Sequence, residues 1–185
     1  AHSYKNNSLH KDVMDGHHYY FVDNEEMDAK DEYVMWNSVE DSDTLRVYGY
    51  IMNDGEELLQ ASTSEGRTTI SYTVDSDVSK QQDVIATEAK ELSSDYCQNI
   101  PLTFRHVLAG VRFKAGFDCT VHKLVVKNVF SSGDYIIGDI WKNRSKKSSF
   151  TVLDNVEKSC AEGELITTDP DILMMIPQQL PDDAC

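Results

Sequence analysis

Short runs in which apolar and polar residues alternate recur roughly every ten to fifteen positions along the chain, with turn-forming clusters between them. Neighbouring side chains in a strand point to opposite faces, so alternation marks a strand that is buried on one side only. "DTLRVYGYIM" sets Leu45, Val47, Gly49 and Ile51 against Arg46, Tyr48, Tyr50 and Met52, and "TTISYTV" alternates Ile70, Tyr72 and Val74 with polar neighbours. "HHYYFVD", "EYVMWNSV", "YIIGDIW" and "SSFTVL" are short aromatic or β-branched runs, and "CTVHKLVVKNVF" gathers Val121, Leu124, Val125, Val126 and Val129. Asp54-Gly55 is a tight-hairpin signal, and "SSGDY" reads as a turn. The most helix-friendly stretch is "SKQQDVIATEAKELSS". Its apolar residues are too few and too clustered to define a face, so helix and irregular strand are equal expectations there. With no long amphipathic helix elsewhere, the expected fold is all-β, a sandwich with little helix.

The 185 residues suit one domain, and a hydrophobic content of 40% with 15 Phe and Tyr is enough to fill a core. Residues 1–18 read as a polar lead-in and residues 19–185 as the domain. No run approaches a membrane span, and no apolar leader opens the sequence. "DILMMIPQQL" is an apolar run stopped at Pro177, which lacks the N–H of a central ladder. The "PQQLPDDAC" that follows has the composition of a linker or of a sheet edge.

A net charge of −15 argues against nucleic acid as a partner. The charge is uneven: residues 101–150 carry 9 basic and 3 acidic side chains, while residues 1–100 carry 7 and 21. That basic block is either ordinary solvated charge or a surface complementary to the acidic part of another copy.

Chemistry-bearing patterns are scarce. There is no nucleophile elbow, zinc-protease helix, phosphate loop or dinucleotide glycine pattern, so a non-enzymatic protein without a cofactor is expected. "DSDT" and "DSDVSKQ" open like calcium loops but lack the glycine and glutamate such a loop needs, and read as solvated turn acids. Cys119 and His122, three apart in a β-branched run, face opposite ways and make a poor metal pair. Cys97, Cys119, Cys160 and Cys185 contain no C-x-x-C; they allow three disulfide pairings or free thiols. "WKNRSKKSS" reads as a solvated hairpin loop. A binding alternative would place a glycan on an exposed aromatic strip containing Trp36 and Trp141.

"FRHVLAGVRFK" changes its buried parity midway. Leu102, Phe104, His106 and Leu108 share one face, then Val111 and Phe113 take the other. Such a switch needs one inserted residue, a bulge or a short coil, and Ala109-Gly110 is the expected place. A single helical turn at "HVLAG" is the alternative. His106 is expected as a hydrogen-bonded core histidine.

This same stretch resembles the "L-x-F-x-H-x-L-A-x-V-x-F" block of the fimbrillin-like proteins of Bacteroides-type bacteria, through Leu102, Phe104, His106, Leu108, Ala109, Val111 and Phe113. "YTVDSDVSKQQDVIATEAKEL", "VKNVFSSGDYIIGDIW" and "LMMIPQQLPDDA" resemble further blocks of that family, in the same order over roughly residues 68–183, and "YVMWNSVEDSDTLRVYGY" extends the likeness towards residue 33. The resemblance implies a transthyretin-like Greek-key β-sandwich, the first domain of a two-domain pilus subunit serving as stalk, anchor or tip. It implies export as a lipoprotein to the outer membrane, with a lipid anchor as the sole membrane link. It also implies assembly by strand exchange with other fimbrial subunits or itself, and adhesion to a surface glycan or protein. Leu102, Phe104, Leu108, Val111, Phe113, Val121 and Val125 are the expected acceptor scaffold.

Overall fold

The computed structural model describes residues 2–5, 8–12, 19–21, 27–29, 44–51, 59–64, 67–93, 100–168 and 172–185, the first four segments as backbone alone. The chain is all-β. Every strand pair is antiparallel, and the sole helical element among the described residues is a 3-10 turn at Val78–Lys80. Among the described residues seventeen strands occur in chain order: β1 (His2–Lys5), β2 (Ser8–Asp12), β3 (Tyr19–Phe21), β4 (Met27–Ala29), β5 (Thr44–Val47), β6 (Tyr50–Ile51), β7 (Leu59–Ser64), β8 (Arg67–Thr73), β9 (Ile85–Thr87), β10 (Lys90–Ser93), β11 (Phe104–His106), β12 (Ala109–Val111), β13 (Cys119–Val121), β14 (Leu124–Ile136), β15 (Trp141–Leu153), β16 (Lys158–Cys160) and β17 (Leu173–Met175).

The largest sheet with described side chains runs β15–β14–β8–β7. β8 shows how its sequence dictates its place: Thr68, Ile70 and Tyr72 are buried at every second position, and Val74 continues the row. Against this face lie the short strands of β11–β9–β6 and β12–β17. Val84, Ala86, Leu108, Leu173 and Ile176 meet Phe150 and Val129 in the shared core. A second, smaller cluster pairs Leu45 and Val47 with Leu92, Ile100 and Leu102. It belongs to the sheet β10–β5–β1–β2. The polar lead-in therefore contains a hairpin, β1–β2, and β1 pairs with β5.

The long hairpin β14–β15 differs from its sequence reading. "SSGDY" is not a turn but lies within β14. Ser131 and Ser132 are buried, yet their hydroxyls donate across the ladder to Lys146 O (2.6 Å) and Ser145 O (3.1 Å), which removes the penalty of burying them. The chain reverses instead at Gly138, three residues beyond Tyr135, where a φ of +81° suits a residue without Cβ. There Asp139 N–H donates to Ile136 O at 2.9 Å. "WKNRSKKSS", read as a loop, forms most of β15 instead. Trp141 and Phe150 are both buried although their numbers differ in parity, so an odd number of residues must bulge out between them. The register slips by one between Lys142 and Ser145, beside Asn143 at φ +50°, and that extra residue supplies the irregularity.

The parity switch in "FRHVLAGVRFK" is a short coil at Val107–Leu108, just before the expected Ala109-Gly110. Both coil residues are buried. The chain uses the break to change sheets: β11 pairs with β9, whereas β12 pairs with β17. "SKQQDVIATEAKELSS" resolves into the 3-10 turn, β9 and β10, because Val84 and Ala86 bury at strand spacing.

Candidate functional site

β14 is unequally covered on its two edges. Along one it pairs with β15 from Leu124↔Leu153 to Tyr135↔Trp141. Along the other, β8 covers it from Ser132↔Thr73 to Ile136↔Thr69 alone, and Val74 N–H reaches Ser131 O at 2.8 Å. Beyond that point, among the described residues, no strand lies on the edge of residues 124–130. A notch remains where β8's line would continue.

Residues 177–185 fill the notch without forming a ladder. Phe130 N–H donates to Gln178 Oε1 (2.8 Å), and Gln178 Nε2 donates back to Phe130 O (2.9 Å). A side-chain amide presents an acceptor and a donor on one edge, as a strand residue presents its C=O and N–H, so Gln178 bonds the Phe130 main chain as a paired strand residue would. Further along, Lys127 N–H donates to Cys185 O (2.6 Å), and Lys127 O accepts from Cys185 N–H (3.2 Å). Between these points Asn128, at φ +59°, donates from Nδ2 to Asp183 O (2.9 Å). Lys147 pins the strap by its ion pair with Asp183 (2.5 Å) and lies 5.8 Å from the Phe130 ring centroid. The hydrogen bond from Lys147 is the main cause holding the Asp183 carboxyl below its ordinary value. The strap's main chain and one glutamine thus satisfy groups that a regular strand would otherwise pair.

The outer edges of the sheet contrast. β15 exposes Lys142, Arg144, Lys146 and Lys147, the charged dressing that discourages uncontrolled edge pairing. β7 exposes Gln60, Ala61, Ser62 and Ser64, with no charge among them.

The residues expected to form one acceptor scaffold are dispersed. Leu108 is buried in the main core with Val111 and Phe113 packed against it, while Leu102 belongs to the smaller cluster. Phe104 sits half-buried over Gly49, where a Cβ would meet its ring at 3.3 Å. Val121 and Val125 are half-buried on β13 and β14, and Val125 alone lies on the notched segment. His106 is not in the core. Its side chain is 74% exposed and its Nδ1 contacts the Asp83 carboxylate. The missed elements are Gln178 and its counterpart Gln81, whose Oε1 accepts from Met174 N–H (2.8 Å). The available signal was a glutamine just after a proline-terminated strand.

Trp141 cannot belong to an exposed strip: it is 4% exposed, its indole N–H donates to Val107 O (2.7 Å), and Tyr135 tilts against it. Trp36 lies outside the described residues. Asp75 and Asp77 cap successive turns, accepting from Asp77 N–H (2.8 Å) and Ser79 N–H (3.1 Å). The Ser79 hydroxyl is the largest cause lowering the Asp77 carboxyl. Among the described residues no group of three metal-ligating side chains converges, and no helix is long and apolar enough to cross a membrane. A polar depression between Gln60, Ser71 and Asn143 is built around Asp134, which accepts from both Ser71 (2.7 Å) and Asn143 (2.8 Å). No family model matches the chain, and no curated protein or solved structure gives a significant match.

Proposed function

We propose that the protein is a non-enzymatic subunit of a cell-surface fibre, of the fimbrillin-like kind its residues resemble, exported to the outer surface and joined to its neighbours by strand exchange. In this reading its fold is a transthyretin-like Greek-key sandwich, and its partners are other fimbrial subunits or a second copy. The observation that carries the proposal is the β14 notch, a sheet edge covered by a strap rather than by a strand. An incoming strand would trade the Gln178 and Cys185 contacts for a continuous ladder along residues 124–130, and its alternate side chains would reach the core. The basic side chains of the adjacent β15 favour an acidic donor.

The test adds strand peptides, taken from sister subunits and from this chain, to the purified protein and follows amide exchange at Lys127 and Phe130. Binding should displace residues 177–185 and leave both amides better protected. Antibody labelling of intact cells should decorate their surface. If no peptide binds and no copy or sister subunit associates, strand exchange has no support. A glycan-binding surface is the weaker reading, because burial removes Trp141 from it.

A further inference from the structure

We propose that Cys119 and Cys160 are a disulfide pair that staples β13 to β16. The two residues are direct partners across an antiparallel ladder, Cys119↔Cys160, followed by Thr120↔Ser159 and Val121↔Lys158. Opposed residues in such a ladder hold their Cα atoms about 4.5–5.5 Å apart, whichever kind of pair they form. The disulfide window is roughly 4.4–6.8 Å, so the backbone already has the right separation. Facing partners also project to the same side of the ribbon, which neighbouring cysteines on one strand cannot do.

The register is not a local accident. Lys114↔Leu165 is an isolated bridge further along the same two segments, and 114 + 165 equals 119 + 160, both 279. Ala115 N–H donates to Glu164 O (2.9 Å) and Ile166 N–H to Phe113 O (2.8 Å), in that same register. Residues 113–121 and 158–166 are therefore one ribbon, interrupted where Gly163 N–H turns back to Ala115 O (2.8 Å) and Glu162 N–H reaches Asp118 Oδ1 (2.8 Å). The ladder beside the cysteines is three residues long, a length at which hydrogen bonds alone hold weakly.

Access and selectivity follow from burial. Cys160 is 4% exposed and Cys119 half-buried, and both line an open depression with Asp118, Thr120, Ser159 and Ala161. An oxidant in that depression meets Cys119 first. Cys185 is exposed but belongs to the strap on β14, its main chain bonded to Lys127. Cys97 lies outside the described residues. The reaction is thiol–disulfide exchange with a small-molecule disulfide such as glutathione disulfide. The Cys119 thiolate attacks it and releases one glutathione thiolate. The Cys160 thiolate then attacks the Cys119 sulfur of the mixed disulfide and releases the second. The protein gives up two electrons and two protons, and the reagent leaves as two thiols.

The proposal is independent of strand exchange at β14 and is tested separately. The full chain is oxidised with glutathione disulfide, blocked with an alkylating agent under denaturing conditions, and digested with trypsin and a glutamate-specific protease. The second enzyme is needed to separate Cys160 from Cys185, because no Lys or Arg lies between them. The expected product is residues 115–123 linked to residues 159–162, with the whole protein lighter by about 2 Da, its two thiol hydrogens. The loop closed spans 160 − 119 = 41 positions, so the oxidised protein should melt roughly 10 °C above the reduced one. Cys185→Ser should keep both results and Cys119→Ser should lose both. The proposal is overturned if Cys119 is found joined to Cys185 or Cys97, if both thiols remain alkylatable after oxidation, or if the linked protein melts no higher than the reduced one.

Discussion

Replacing Gln178 by alanine tests whether one side chain substitutes for a strand. The amide makes three hydrogen bonds, with Phe130 N–H (2.8 Å), Phe130 O (2.9 Å) and Ile176 O (3.0 Å). Each is worth about 0.5–1.5 kcal/mol net, and an orphaned buried backbone group costs more. Phe130 is half-buried, so water can re-solvate part of its peptide once the amide is gone. That offset sets the expected loss near 2 kcal/mol, a fall in Tm of about 4–8 °C for a chain of this size. Urea unfolding should show a lower midpoint at unchanged slope, since the surface exposed on unfolding hardly changes. Local opening should respond too: 2 kcal/mol corresponds to about thirty-fold faster exchange of the Phe130 amide. Gln179→Ala is the control, because Gln179 is exposed, and it should stay within about 0.5 kcal/mol of the parent. A Gln178→Ala protein as stable as that control, with Phe130 exchange unaltered, would refute the strand-substitute argument.

Gly133→Ala places a Cβ 3.2 Å from Lys142 O, a backbone atom that cannot swing aside. It should cost about 1–3 kcal/mol by thermal melting, whereas Gly116→Ala, with nothing within 4 Å, should cost under about 1 kcal/mol. Trp141→Phe keeps the ring but strands the Val107 carbonyl, so a loss of about 2 kcal/mol is expected in urea titration, with near-ultraviolet dichroism reporting an intact core. Acid stability should reflect Asp77, Asp139 and Asp183, each lowered from an ordinary value of 3.8 by hydrogen bonds, from Ser79, Lys142 and Lys147 respectively. A depressed carboxyl stabilises the fold above its unfolded-state value and loses that contribution as pH falls through the folded value. Stability should therefore decline below pH 3.8, gently because all three are exposed, and Asp183→Asn should flatten the decline in a pH series of Tm.

The sequence is legible where burial alone decides. Ile70, Tyr72 and Val74 announce β8 because an alternating row has one sensible use. It misleads where a distant partner decides. Ser131 and Ser132 look like turn residues until β15 supplies acceptors at Lys146 and Ser145. β15 itself hides because the slip beside Asn143 breaks its period and its outward residues are uniformly polar. After Val47 the chain changes cluster, so Tyr48 and Tyr50 pack on the main core while Ile51 is exposed, a break that alternation through Gly49 conceals. Composition could not reveal the notch either. Gln178 acquires its role from a peptide 48 positions away, and no local propensity encodes that.

The exposed lysines and arginine of β15 have a practical consequence. Lys142, Arg144, Lys146 and Lys147 are four trypsin cleavage sites within one short stretch, and pairing with β14 keeps that backbone out of a protease cleft. Proteolysis requires the hairpin to open first, so cutting at this cluster reports how often the two longest strands part. The molecule carries its own gauge of sheet integrity, readable on a gel without any added label.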